Sequence, residues 1–354
     1  MTVRRQHDVL VDLARRPSLH AGRLGAALRD ITEAAAETLG VERVGVWFFT
    51  PDRQAIRCSE LYERTPSLHS EGGELTAIRY PVYFKALETE RTIAASDARL
   101  DPRTSAFTET YLDPLGVTSM LDAPIRRLGH MAGVVCFEHT GTPRPWTSEE
   151  QHFASSVADL VAMAMDATER RQAQEALRHR VEFEKLIAGM STRFANTADD
   201  EIDGAIKDAL ADIGQFVGVD RTYVLVVDPE GLGGRMTHEW SAIPGDIRAP
   251  LYGELSAAAF PWWIERMTSG EAVRFSSLDE LPPQAVNERR MLERQGICSG
   301  VFMPMLLKTR FVGSVGISSL TREVQWTDET VALLRIAGEM LVSALERART
   351  YSAL

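Results

Sequence analysis

The sequence predicts an α/β (α+β) chain made of two copies of one domain joined by a long helix. Three observations predict it. First, Leu115–Glu150 and Gln295–Thr330 align without a gap at an offset of 180 residues, placing Gly116 on Gly296, Ser119 on Ser299, Pro124 on Pro304 and Gly133 on Gly313. Trp146-Thr147 falls on Trp326-Thr327 and Glu149 on Glu329 in the same alignment, and Val41–Asp52 matches Val219–Glu230 at an offset of 178. Second, each copy repeats one order of helical and strand-like patterns. Third, the stretch from Thr147 to Phe194 contains no proline and only Gly189, as one continuous helix would. A period this long is outside the range of solenoid repeats, so it marks duplicated domains.

Copy one is expected to open with a helix over Leu19–Leu39, where Leu24, Leu28, Ile31, Ala35 and Leu39 recur at helical spacing and Gly40 supplies the stop. Val41–Phe49 alternates as a strand, Pro51-Asp52 turns the chain, and Ile56–Tyr62 is its paired strand. A short helix over Pro81–Thr89 precedes the strand-like Thr92–Ala95. Asp97–Pro114 is polar and broken by prolines, with a helix around Phe107–Tyr111. Ser119–Arg126 and Met131–His139 are stronger strands, joined near Leu128-Gly129. Thr147 or Ser148 then caps the long helix, with Glu149 and Glu150 at the positive end of its dipole.

Glu169–Lys185, the middle of that helix, is densely charged. It reads either as a solvated face or as a linker that pairs with a second chain, because an isolated helix of this length has little packing to stabilise it. The pairing is preferred, and the domains are drawn at 1–168, 169–195 and 196–354. Copy two repeats the order: helix Ile202–Phe216, strand Thr222–Val227, turn Pro229–Gly234, strand Met236–Trp240 and a helix near Phe260–Thr268. A proline-containing segment leads to helix Asn287–Gln295, strands Ser299–Leu306 and Phe311–Ser318, and a last helix from Thr327.

Composition narrows the class. The chain has 354 residues, 44% of them hydrophobic and 25% charged, enough for two domains with real cores. The formal net charge of −11 argues against a general partner among nucleic acids or anionic membranes. No apolar leader and no run of membrane-spanning length is visible, and Cys58, Cys136 and Cys298 form no CxxC pair, so a reducing cytoplasm is expected.

The strands VERVGVWFFTPD and VDRTYVLVVDPE, with G-V-T-S-M-L-D-A-P-I…G-V-V-C-F-E-H…W-T-S-E-E and G-I-C-S-G-V-F-M-P-M…G-S-V-G-I-S-S…W-T-D-E-T, resemble the GAF domain, a small sensory module related in fold to PAS domains. The resemblance runs from about Leu19 to Arg347. It implies, in each copy, a central antiparallel sheet with terminal helices on one face and a ligand cavity under loops and short helices on the other. It also implies a non-catalytic, cytoplasmic, homodimeric sensor of a small molecule, signalling through helices to a histidine kinase or diguanylate cyclase. Two alternatives are kept: a ligand-free dimerisation or adaptor protein, and a thiol-based reductase on the same scaffold.

Chemical motifs are sparse. No P-loop, GxGxxG, HExxH or GxSxG occurs, and no cyclase signature or kinase phosphoacceptor box. No cysteine is followed by histidine, the usual attachment site in bilin-binding members of the family, and copy one has no asparagine for the cyclic-nucleotide pattern. The cofactor is therefore unassigned. Haem would need an axial ligand; His69, His139 and His238 are the candidates, but a lone histidine at a strand end is ordinarily exposed or hydrogen-bonded. Cys136 reads as a small core residue, and Cys298, at the presumed cavity rim, is the candidate redox cysteine. No metal site is expected.

The family architecture would line the first cavity with Trp47, Tyr83, Phe84, Tyr111, Ser119 and Asp122. The second would have Trp240, Trp262, Trp263, Phe275 and Ser299. Asp122 is singled out because a carboxylate on an apolar strand needs a donor. It belongs to an exposed strand face, to an ion pair with Arg126 or Arg127, or to a site where it accepts a hydrogen bond from a polar ligand. Copy two has Phe302 there, which predicts a polar first cavity and an apolar, aromatic second one.

Overall fold

The structure is a computed structural model that describes residues 3–228, 233–243 and 258–352; most of the turn expected at Pro229–Gly234 lies outside them. The chain divides into two compact units, Met1–Leu177 and Arg178–Leu354.

Unit 1 begins with α1 (Val3–Arg15), α2 (Pro17–His20) and α3 (Leu24–Leu39). The single helix expected over Leu19–Leu39 is thus two pieces. The break is at Gly22, whose φ of +65° is a left-handed conformation that ends α2 and that glycine adopts without steric cost. α1 was not foreseen; Leu13 on its inner face is buried with Leu28, Ile31 and Ala35 of α3. There follow β1 (Arg43–Phe49), β2 (Ala55–Glu63), β3 (Leu68–Ser70), β4 (Glu74–Thr76), α4 (Pro81–Thr89) and β5 (Ile93–Ala95). A 3-10 turn (Ser105–Phe107), a π-type turn (Thr108–Leu112) and the short α5 (Asp113–Leu115) stand where one helix was expected. β6 (Val117–Arg127) and β7 (His130–Thr140) complete the sheet, and α6 (Ser148–Asn196) is one helix of 49 residues.

Unit 2 takes the end of α6 and adds α7 (Ile202–Val217), β8 (Arg221–Val227), β9 (Gly234–Ser241), α8 (Pro261–Thr268) and β10 (Val273–Phe275). It closes with α9 (Val286–Arg294), β11 (Ser299–Leu307), β12 (Arg310–Ser319) and α10 (Asp328–Ser352). The strand orders correspond, β3-β2-β1-β7-β6-β5 with β4 also on β2, and β10-β11-β12-β8-β9, and the pairings are antiparallel. Each sheet buries both faces. One face carries α3 and the start of α6 in unit 1, and α7, α10 and the end of α6 in unit 2. The other carries α4 and the irregular turns in unit 1, and α8 and α9 in unit 2.

The positions that match between copies are mostly joints of this scaffold. Ser119 Oγ donates to Ser96 O and accepts from Arg144 N–H at 2.8 and 2.9 Å; Ser299 Oγ accepts from Val324 N–H at 3.2 Å, 180 residues on. Trp146 Nε1 donates to Ala95 O, and Trp326 Nε1 to Phe275 O, tying each exit segment to an edge strand. Thr147 Oγ1 caps α6 by accepting from Glu150 N–H, and Glu150 reaches back to Thr147 N–H; Thr327 accepts from Thr330 N–H likewise. A Cβ on Gly133 would lie 2.1 Å from Trp47 O, and one on Gly313 2.1 Å from Leu225 O, so neither site has room for a side chain.

Candidate functional site

In each unit the candidate site is the sheet face away from the terminal helices. Cross-strand partners point to one side of a sheet, so the register of the two central strands sets its lining. In unit 1 the pairs are Arg43↔Glu138, Gly45↔Cys136 and Trp47↔Val134. In unit 2 the same places hold Arg221↔Ser318, Tyr223↔Gly316 and Leu225↔Ser314.

Unit 1 is polar at its centre. The Tyr83 hydroxyl, brought in by α4, donates to Asp122 Oδ2 at 2.8 Å and lies 3.8 Å from Cys136 Sγ. Asp122 is fully buried, and its Oδ1 has no hydrogen-bond partner among the described residues. Burial pushes its carboxyl up to about 7; the Tyr83 bond opposes that shift, and Glu138 nearby adds to it. The expected pairing of Asp122 with Arg126 or Arg127 does not occur. β6 turns Asp122 inward, while Arg126 donates to the carbonyls of Glu88 and Glu90 and Arg127 pairs with Asp166 and Glu169 on α6.

A second buried acid, Glu138, accepts from Arg43 Nε at 2.8 Å and from Tyr111 OH at 2.7 Å; Arg43 also pairs with Glu63. Burial holds the Glu138 carboxyl above the ordinary range even though Arg43 pulls it down. The space left among Trp47, Tyr83, Tyr111, Met120 and Cys136 is about 10 Å³, room for about one water.

Unit 2 replaces this chemistry position by position. Trp263 stands for Tyr83, Phe302 for Asp122, Met291 for Tyr111, Gly316 for Cys136 and Ser318 for Glu138. The hydrogen-bonded pair Tyr83–Asp122 becomes an edge-to-face ring pair, Trp263 on Phe302, with centroids 4.5 Å apart. The cavity is about 40 Å³, walled by Tyr223, Leu225, Met236, Trp263, Met291 and Phe302, with Gln295 and Ser314 as its polar members.

Of the residues expected to line cavities, Trp47, Tyr83, Tyr111 and Trp263 do so. Asp122 stands behind Tyr83. Phe84 packs edge-on to Phe49, Phe275 stacks on Phe302, and Trp262 lies against Trp263 under Arg266, all beside the cavities. Ser119 and Ser299 are the scaffold joints described above. Trp240 is on the opposite face, packed on Gly214 of α7. Trp240 pairs with Thr222, whose hydroxyl donates to Leu210 O of α7, and beyond it a bulge between Val224 and Leu225 switches the alternation of β9 so that Met236 takes the cavity face.

Cys298 is half-buried, its thiol donating to Leu320 O at 3.4 Å. Burial pushes the Cys58 thiol up to about 12 and that of Cys136 well up, which suppresses thiolate chemistry in unit 1. His69 bonds Glu60, and His238 bonds Asp203 and Thr237. No cluster of three or more metal-ligating side chains is found among the described residues. The reading of the sequence missed Arg43, Glu138 and Arg221. The signal was present: an arginine stands at the same place in both repeated strands, VERVGV and VDRTYV, among apolar residues.

The GAF domain family model matches residues 23–165 and 201–345. The methanogenesis regulatory histidine kinase FilI of Methanothrix harundinacea (strain 6Ac) is 26% identical over 202 residues, covering 55% of this chain and 22% of the kinase. The chain thus spans about a fifth of that relative's length. The crystal structure of bacteriophytochrome RpBphP3 from the photosynthetic bacterium R. palustris aligns with 97% of this chain and 75% of its own, with a TM-score of 0.43 and 12% identity.

Proposed function

Because the chain belongs to the GAF domain family in both of its units, we propose that it is a non-catalytic sensory module whose second unit binds a small, largely apolar molecule. The observation that carries this is the walled cavity of unit 2, ringed by aromatic and methionine side chains with few polar atoms, the common make-up of a small-molecule site. Met236 and Met291 in that wall are flexible enough to admit a molecule larger than the resting space. Unit 1 fits the adaptor reading instead, for its corresponding space is filled by Trp47 and by the Tyr83–Asp122 and Tyr111–Glu138 pairs.

Output is assigned to the helices. Glu169–Glu182 of α6 is exposed throughout, with Leu177 65% and Val181 40% exposed four residues apart, the start of an apolar seam for a second copy. The likeness to a regulatory histidine kinase supports a kinase as downstream domain or partner. No helix among the described residues is long and apolar enough to cross a membrane.

Leu225→Trp tests the assignment, since it places in unit 2 the residue that unit 1 carries as Trp47. Ligand-observed NMR with a library of small aromatic and branched-chain compounds should find binders to the full chain that Leu225→Trp loses while its melting temperature holds. Binders unaffected by Leu225→Trp would place the site elsewhere and defeat the proposal.

A further inference from the structure

The two units share a buried arginine but not its company, and the difference names a ligand class. In unit 1, Arg43 faces Glu138 across the β1–β7 register and also pairs with Glu63, so one guanidinium holds two carboxylates. Unit 2 keeps the arginine but takes its one carboxylate from another register position: Arg221 pairs with Glu239, and Ser241 stands where unit 1 has Glu63. Across the strand, where Glu138 stands in unit 1, it meets Ser318.

Arg221 is 1% exposed, so water does not satisfy its remaining N–H groups. Their contacts are long: Nη1 to Gln295 Oε1 at 3.5 Å and Nη2 to Met236 Sδ at 3.7 Å. Both lie at the weak limit of hydrogen bonding. Ser318 is fully buried, and its Oγ has no hydrogen-bond partner among the described residues. Burying such groups unpaired is costly, and a native core rarely does so without a role for them. Gln295, Met236 and Tyr223, the neighbours of this guanidinium, all line the unit 2 cavity.

We propose that unit 2 recognises a small carboxylate with an apolar body, the carboxylate accepting from the Arg221 guanidinium and the Ser318 hydroxyl and the body lying among Tyr223, Trp263, Met291 and Phe302. The inference rests on the reading of unit 2 as the binding unit. Guanidinium matches a carboxylate with paired, charge-assisted donors, and the flexible Met236 is what must move to join cavity and arginine. Unit 1 is the internal precedent: its Glu138 occupies the corresponding position with its own chain's carboxylate, and a tyrosine, Tyr111, completes the set of donors.

Titration calorimetry on the full chain tests this with isovalerate, benzoate and phenylacetate against isovaleramide, benzamide and phenylacetamide. At least one acid should bind roughly ten-fold or more tightly than its amide, because a site built for charge-assisted bonds discriminates strongly against a ligand lacking the charge. Ser318→Glu should abolish acid binding with the fold retained, as unit 1 retains its fold with Glu138. Ser318→Ala, the milder change, should weaken the acid and leave the amide unchanged. Amides that bind as well as the acids would overturn the carboxylate assignment and leave unit 2 as a binding unit. Failure of all six at millimolar concentration would overturn the carboxylate assignment, whereas the reading of unit 2 as a binding unit falls only if the library screen finds no binder that Leu225→Trp loses.

Discussion

Asp122 is buried beside an aromatic hydroxyl with one oxygen unpartnered, and burial raises its carboxyl. In the unfolded chain an aspartate releases its proton near pH ~3.9; in the fold Asp122 holds it up to about 7. Between those values the folded state binds the extra proton, so stability falls as pH rises and the loss is complete above the folded value. Its full size is roughly 4 kcal/mol. Asp122→Asn should therefore stabilise unit 1 by an amount that grows from pH 5 to pH 8, read from melting temperatures across that range. A gain that did not change with pH would contradict the assignment. Tyr83→Phe removes the donor and should cost about 1–3 kcal/mol in chemical denaturation at pH 8, where the carboxylate is charged. Ser119→Ala and Ser299→Ala should each cost about 1 kcal/mol without altering ligand binding, because both hydroxyls staple strand to loop.

At the scale of elements, α6 joins two kinds of helix in one. Its first turns pack on the unit 1 sheet through Phe153, Val157 and Val161, and its last turns pack in unit 2 through Met190 and Phe194. The exposed middle has the ion pairs Arg171–Glu175, Arg178–Glu182 and Arg180–Glu184 at four-residue spacing, each worth about 0.2 kcal/mol to the helix because the arginine stands N-terminal to the acid, the weaker order. Such pairs keep the stretch helical without supplying a partner. If Leu177 and Val181 form the seam with a second copy, light scattering should find the intact chain dimeric and the double variant Leu177→Glu/Val181→Glu monomeric with unchanged helicity. A monomeric intact chain would contradict the dimer.

Elements with strong local signals were legible from sequence. Pro81 at the start of α4, Gly40 after α3 and the Thr147 cap of α6 each act through a neighbour within a few residues. What escaped depended on distant partners. β3 and β4 are three residues each, too short for alternation to register, and exist because β2 offers them an edge. The family architecture alone does not tell which face Trp240 takes, because that depends on its pairing opposite Thr222, and the bulge that brings Met236 to the cavity leaves no mark in a strand's composition. The burial of Asp122 was open for a like reason: its donor, Tyr83, lies 39 residues away.

For the whole molecule, the repeat separates what the fold needs from what each unit does. The matched serines, tryptophans and glycines hold edges, caps and close strand contacts in both copies. The changed positions cluster on one face: Tyr83 and Asp122 against Trp263 and Phe302, and Glu138 against Ser318. In unit 1 the side chains leave about 10 Å³ on that face, and in unit 2 about 40 Å³, walled largely by apolar side chains beside a buried arginine. Hydrogen–deuterium exchange of the full chain, with and without a molecule found in the binding screen, tests that division most directly. Protection should concentrate in unit 2, in β8, β9, α8, α9, β11 and β12. Protection centred instead on α4 and Thr108–Leu112 of unit 1 would contradict it.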